Sequence, residues 1–374
     1  MKLKQKTFYF FSKKYGWLTM LLWLLFIAPV SAAVELRVAV IKAASQVNVG
    51  SSTDALIKDG AGRTLGTLSA MSSFVAEPEK NNVAIEKWKS QQIVIEPSNE
   101  GYVWIKDRWY RGRTRLLLQG KGVTAVNLVD LESYLYSVVG SEAIATWPIE
   151  ALKAQAVAAR TYALNKSSTG SNRFYDLDTT VQTQVYKGLQ TEYSSTHEAV
   201  NQTSGQILTY NGKAILAVFH SSSGGHTENV EEVWSSALPY LRGVVDYDQT
   251  APVFQWEKSF NTNQIGNLLG VGTVKSFIPE RITRNGRIIT LKVIGEKGSK
   301  IIDDSHLRKV LDLKSTLFTV SVQDNLVEIK GRGYGHGIGL SQWGAYYLSL
   351  QGVSYNDILS HYYQNVKLTK IQAN

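Results

Sequence analysis

The stretch VVGSEAIATWPIEALKAQAVAARTYAL, from Val138 to Leu164, constrains the fold more than any other part of this chain. The apolar run Tyr136 to Val139 reads as a buried strand that breaks at Gly140 and presents Glu142 in a short connection. Trp147-Pro148 then opens a helix. Proline suits a first turn, where the amide it lacks has no intrahelical partner. Thr146 is placed to cap that helix, and Glu150 favours the positive end of its dipole. Ala151, Ala154, Ala156, Ala158, Ala159 and Ala163 leave the flanks nearly bare, so other elements can approach the axis closely. Lys153, Gln155, Arg160 and Tyr162 are polar groups that a purely structural helix does not require. Glu142 is thereby expected at the start of a rigid, buried helix, with bulky Trp147 shielding it from water.

The first 33 residues carry Lys2, Lys4, Lys6, Lys13 and Lys14, then the apolar run WLTMLLWLLFIA, Pro29 and the small residues Val30-Ser31-Ala32. That order is expected of a secretory signal peptide, with export to the periplasm, cell wall or cell surface. The run is short for a membrane span, so a membrane enters only through an uncleaved leader. The chain has a net charge of +9; those five lysines, in a segment without an acid, leave +4 for the rest. This mild excess suits a polyanionic wall as well as almost any other surface, and no nucleic-acid partner is expected. The chain has no cysteine. That excludes disulfides, thiolate zinc sites and cysteine nucleophiles, and leaves stability to the core.

The rest of the chain implies an α+β fold, with mixed β-rich lobes around a central Ala-rich helix and a groove. Residues 34–125 read as a β-rich segment, in which IVIEPSNEGYVWIK pairs two apolar runs around Pro97-Ser98-Asn99. Residues 126–245 form the core with the central helix, a second helix over about 193–203, and a hairpin over 206–219 turning at Asn211-Gly212. Residues 246–330 change to short strands with one helix near 303–313, a second lobe or a β-rich insertion. Residues 331–374 return to helix and complete the core. There Ser341 caps one helix, Gly352 ends it, and Ser354 with Asp357 caps the last.

Three stretches can carry chemistry. Glu142 is either an acid–base group or a solvated surface glutamate. In FHSSSGGHTENVEEVW (219–234), His220 and His226 with Glu228 or Glu231 offer metal ligands, and serine beside histidine offers a nucleophile. Neither H-E-x-x-H nor G-x-S-x-G is present, so a polar loop lining a groove is the better reading. Finally, Gly331, Gly333, Gly335, Gly337 and Gly339 strip one face of a strand, letting a backbone or ligand come very close. His336 within that run either donates to a substrate or bonds a buried carbonyl.

Together these stretches resemble the stage II sporulation protein D family. The residues that carry the resemblance are YRG (110–112), VNLVDLESYLYSVVGSEAIATWPIEALKAQAVAARTYAL (126–164) and TQVYKG (183–188). FHSSSGGHTENVEEVW, LPYLRGV, GRGYGHGIGLSQWGA and HYYQNV continue it, collinear over roughly residues 36–366. The resemblance implies an exported lytic transglycosylase that cuts peptidoglycan glycan strands, best when stripped of stem peptides, and it places the catalytic glutamate at Glu142. Two departures stand out. The usual Met-Pro after the glutamate is Ala143-Ile144, and Asp178, Gln182 and Thr183 occupy positions where some relatives bind zinc. No metal and no cofactor are therefore expected.

One glutamate can suffice for such a reaction. Glycoside hydrolysis normally takes two carboxylates. A lytic transglycosylase instead uses the C6 hydroxyl of the muramyl ring, so one residue serves as acid and then base. For the groove, Tyr186, Trp234, Tyr334 and Trp343 suit sugar faces. Gln155, Arg160, His220, Ser221, His336 and Gln342 suit hydroxyls and acetamides. Two other classes remain open at this point. One is a wall-binding module that recruits or stimulates a cell-wall amidase. The other is a two-carboxylate muramidase with Asp130, Glu150, Asp176 or Glu228 as second acid.

Overall fold

The structure, a computed structural model, describes residues 34–371. The signal peptide expected at 1–33 lies outside the described residues. The fold is α+β. A seven-stranded sheet is built mainly from residues 35–130, and a six-stranded sheet packs beside it. In the first sheet Gly122–Asp130 lies between Glu35–Ala44 and Arg113–Gln119, antiparallel to both. Its side chains are buried up to Asp130, as an interior strand requires. The two runs flanking Pro97-Ser98-Asn99 do not pair. Gln92–Pro97 joins the seven-stranded sheet and Val103–Ile105 the six-stranded one. The turn residues therefore carry the chain between sheets instead of closing a hairpin.

Asp130 ends the buried strand and starts helix α1 (Leu131–Glu142), accepting a hydrogen bond from the Ser133 amide at 3.0 Å. The Tyr136–Val139 run is thus helical, not a strand. Leu131, Tyr134, Leu135, Val138 and Val139 are buried at i, i+3, i+4 spacing, and this pattern outweighs the β-preference of two valines. Gly140 does not break the helix. A Cβ there would lie 2.0 Å from the Thr191 carbonyl, so glycine lets α1 touch the 3₁₀ turn Gly188–Thr191.

Helix α2 (Ile149–Thr169) begins after Pro148, with no side-chain cap from Thr146. Its alanines are buried on all sides, as expected of a helix enclosed by its neighbours. It contacts α1, α3 (Ser194–Gln202) and the strand Gln206–Tyr210. That strand turns through Asn211-Gly212 to Lys213–Ala214 and pairs on its other edge with Lys367–Lys370.

A short helix α4 (Val230–Val233) precedes a unit with its own hydrophobic cluster. Trp256, Ile265, Leu291, Val293, Leu307 and Ile329 belong to that cluster, between two three-stranded sheets and helices α5 (Thr262–Leu269) and α6 (Asp304–Leu311). The chain then returns. Helices α7 (Gln342–Leu350) and α8 (Tyr355–Tyr362), capped by Ser341 and Ser354, pack Ala345, Leu348, Ile358 and Tyr362 into the main core against α2.

Candidate active site around Glu142

Glu142 is the last residue of α1, and the carboxyl is mostly enclosed. Burial raises its pKa, since water that would stabilise the carboxylate is excluded. Three groups pull the other way. The Val185 amide donates to Oε1 at 2.7 Å, Lys187 adds a positive charge, and the Gln342 side chain adds a polar contact. The net shift is upward. The C-terminal end of a helix is the negative pole of its dipole, and the last turn of α1 has no basic residue, so the helix also favours the protonated form. Tyr162 feels the charges of Asp178 and Glu142 on top of its burial and is pushed up to about 12.

The segment 178–188 holds the donors in place. Asp178 accepts from Lys42 at 2.8 Å and from the Thr180 and Thr183 hydroxyls at 2.7 and 2.8 Å. Burial alone would raise its pKa, but these bonds outweigh it and hold the carboxyl at about 2. Gln184 is fully buried between helices, accepting from Tyr134 Oη at 3.1 Å and donating to the Ala159 carbonyl at 3.2 Å. The next amide is the one that reaches Glu142. The Val185 donor is a backbone amide with no side-chain signature in sequence, and the Lys187 charge is not distinguished there from that of any other lysine. The TQVYKG motif was the only signal for them.

Gln342, at the start of α7, links the acid to the core, its Nε2 reaching Gln155 Oε1 at 3.4 Å. Trp343 stands edge-on to Trp147, with ring centroids 5.0 Å apart, and Tyr346 closes the aromatic group. Trp147 therefore builds the wall beside Gln342 together with Trp343. Ser221 joins the same wall through its carbonyl, which accepts the Trp343 amide at 3.0 Å.

A second group lies around His336. Its Nε2 donates to the Phe219 carbonyl and its Nδ1 accepts the Ile338 amide, both at 3.0 Å, so the ring is neutral and fully occupied. Burial, then the charges of Arg287 and Arg308, lower its pKa to about 3. Of the two roles open to His336, the carbonyl bond is the one formed. The ring lies between His220 and half-exposed Trp234, tilted to both, with centroids 5.1 and 5.3 Å away. His220 is buried, with Nδ1 on the Ile338 carbonyl at 3.2 Å and Nε2 unpartnered. Tyr334 is exposed.

Gly331 lies in the strand Leu326–Arg332, but the run beyond it is not a continuous strand. Gly333, Gly335, Gly337 and Gly339 all have positive φ; Tyr334 makes an isolated antiparallel bridge to Ser222, and Leu340–Ser341 a short parallel one to Phe219–His220. Close approach remains the reason for the glycines. A Cβ on Gly335 would sit 2.6 Å from His220 Cβ, and one on Gly337 2.4 Å from the Arg287 guanidinium.

Two expected sugar-binding residues are scaffold instead. Arg160 is fully buried, paired with Glu132 at 2.7 Å and bonded to the Val200 and Gln206 carbonyls, so no donor faces a groove. Tyr186 lies between Tyr110 and Tyr134 with its hydroxyl on Asn127 at 2.8 Å. The possible second acids are also committed elsewhere. Asp130 caps α1, Glu150 holds Lys153 and the Tyr355 amide, and Asp176 chelates Arg37. Glu228 binds Thr283, Asn285 and the buried Arg287, which joins the 255–332 unit to the core. Among the described residues no three His, Asp or Glu side chains converge as metal ligands, and Glu231 is spent on Arg242.

Two family profiles match the chain. Residues 119–210 match one described as stage II sporulation protein, and residues 241–339 match a domain of unknown function. An uncharacterised protein of Brachyspira hyodysenteriae is 33% identical over 268 residues, covering 69% of this chain and 72% of the relative. Stage II sporulation protein D of Bacillus subtilis is 35% identical over 267 residues, covering 67% and 77% respectively. The amidase enhancer of Bacillus subtilis is 33% identical over 289 residues, 63% of this chain but only 40% of that longer protein. The motifs around Glu142 fall within the first matched segment, and the chain belongs to the stage II sporulation protein D family.

Proposed function

We propose that this protein is an exported lytic transglycosylase acting on peptidoglycan glycan strands, with Glu142 as its single acid–base group. The observation that carries this reading is the state of Glu142. It is a carboxyl whose hold on its proton is strengthened by burial at a helix C-terminus, with one fixed backbone donor on Oε1. Such a group donates its proton to the glycosidic oxygen as the C1–O bond of the muramyl residue breaks. The resulting carboxylate then takes the proton of the C6 hydroxyl while that oxygen bonds to C1, closing a 1,6-anhydro ring. No water is consumed, and Glu142 ends protonated. Tethering the nucleophile to the ring removes the need for a second carboxylate to activate water. The engagement of Asp130, Glu150, Asp176 and Glu228 in caps and ion pairs argues in the same direction. Trp343 and Trp147 supply an aromatic wall, and Gln342 an amide, for the sugar.

Similarity to the amidase enhancer favours a second reading, in which the chain binds the wall and stimulates an amidase. Incubating purified protein with peptide-free glycan separates the two by product mass. Anhydro ends lack one water relative to hydrolytic ends, and a binding module yields neither product.

A further inference from the structure

Lys187 is a cation without an anion. Lys42, Lys58, Lys89, Lys153, Lys258 and Lys330 each meet a carboxylate. Lys187 has no such partner among the described residues, although it is half-buried. Its main chain is held on every side. Val185, two residues earlier, is bonded to Glu142, and the Lys187 amide itself donates to Ser137 Oγ on α1 at 3.2 Å. Tyr186 is locked in the core. Gly188 has φ +62°, and a Cβ there would lie 2.0 Å from the Trp109 carbonyl. The charge of a lysine anchored this way is felt by the Glu142 carboxyl at the end of α1. That charge opposes protonation of Glu142 in the free protein, an arrangement that works against an acid unless an anion arrives with the substrate.

The ring cut by the proposed reaction can bring that anion. A muramyl residue carries a lactyl ether at C3. With a stem peptide the lactyl carbonyl is a neutral amide, and without one it is a carboxylate. We propose that Lys187 is the specificity residue that pairs with the free lactyl carboxylate of a peptide-stripped muramyl ring seated at Glu142. The assignment rests on the glycan-strand reading above. Pairing neutralises the lysine and removes the charge that opposes the acid, so the correct substrate also readies Glu142.

The test uses Glu142→Gln protein, expected to bind without cutting, and fluorescent glycan strands either peptide-free or bearing stem peptides. Peptide-free strands are expected to bind about ten-fold more tightly or better, the scale of a charged hydrogen bond. Adding Lys187→Met should abolish that preference, and Lys187→Arg should restore most of it. In the otherwise unaltered protein, Lys187→Met should move the Glu142 carboxyl titration upward, followed by carbon-13 NMR. Equal binding of both strand types, failure to bind either, or an unchanged preference in Lys187→Met overturns the assignment. Selective binding without any cleavage by the unaltered protein overturns the transglycosylase reading while leaving the role of Lys187 standing.

Discussion

The Val185 amide donates to Glu142 Oε1 at 2.7 Å, a backbone donor fixed on a carboxyl at the end of a helix. Either protonation state of the carboxyl can accept this bond. It therefore orients the acid without committing it to one form, while burial sets the balance toward the proton.

That balance appears in stability. Glu142 holds its proton more tightly folded than unfolded, its folded pKa lying above the ordinary 4.5. Its contribution to stability is complete below the unfolded value and declines as pH rises through the folded one. Glu142→Gln removes this titration. The variant should melt higher than the parent at pH 7, and the gap should close near pH ~4. Thermal unfolding at the two pH values measures it, and a variant less stable at pH 7 would contradict a buried acid.

His336 should stay neutral far into acid. Its lowered folded pKa of about 3 means that stability present above the ordinary 6.5 is lost as pH falls through the folded value. Nitrogen-15 spectra should show the Nε2–H tautomer from pH ~8 to pH ~5. An imidazolium signal at pH ~5.5 would mean that the bonds to Phe219 and Ile338 are not kept in solution.

Removing the partner of Arg160 tests its scaffold role. Glu132→Ala leaves a fully buried guanidinium short of its carboxylate and should cost on the order of 3–5 kcal/mol. Denaturant unfolding reads this directly. A change below ~1 kcal/mol would reopen Arg160 as a surface group.

Glycines of the 333–339 loop differ from one at a helix end. Gly335→Ala combines φ +120° with a contact 2.6 Å from His220 Cβ and should cost about 1–3 kcal/mol from strain alone. Gly352→Ala, at φ +80° with open space around its Cβ, should cost about 1 kcal/mol. Equal costs at the two sites would show that the loop yields to relieve the clash.

The strand-rich residues 35–130, the alanine helix and the three caps at Asp130, Ser341 and Ser354 are readable in the sequence to different degrees. Ser341 and Ser354 announce themselves because capping residues are local. Asp130 does not, because two valines mask the helical spacing of α1, and the sequence alone therefore sets Glu142 after a strand. The site divided in the same way. Glu142, Gln342 and Trp343 lie in recognisable motifs, whereas the Val185 amide and the free Lys187 depend on how segment 178–188 is pinned by Asp178 and Gln184. Arg160 misled because polarity within a buried helix looks the same in sequence whether it serves a ligand or Glu132.

The most direct measurement compares anhydro-ended product formed from peptide-free glycan by Glu142→Gln and Glu150→Gln, both shown to be folded. Glu142→Gln should lose roughly 10²-fold or more in turnover while still binding strands, the usual scale for a general acid–base. Glu150→Gln, whose carboxylate serves Lys153 and the Tyr355 amide, should keep nearly all of it. Retained turnover in folded Glu142→Gln would contradict the assignment of the acid, and loss in Glu150→Gln instead would move it onto α2.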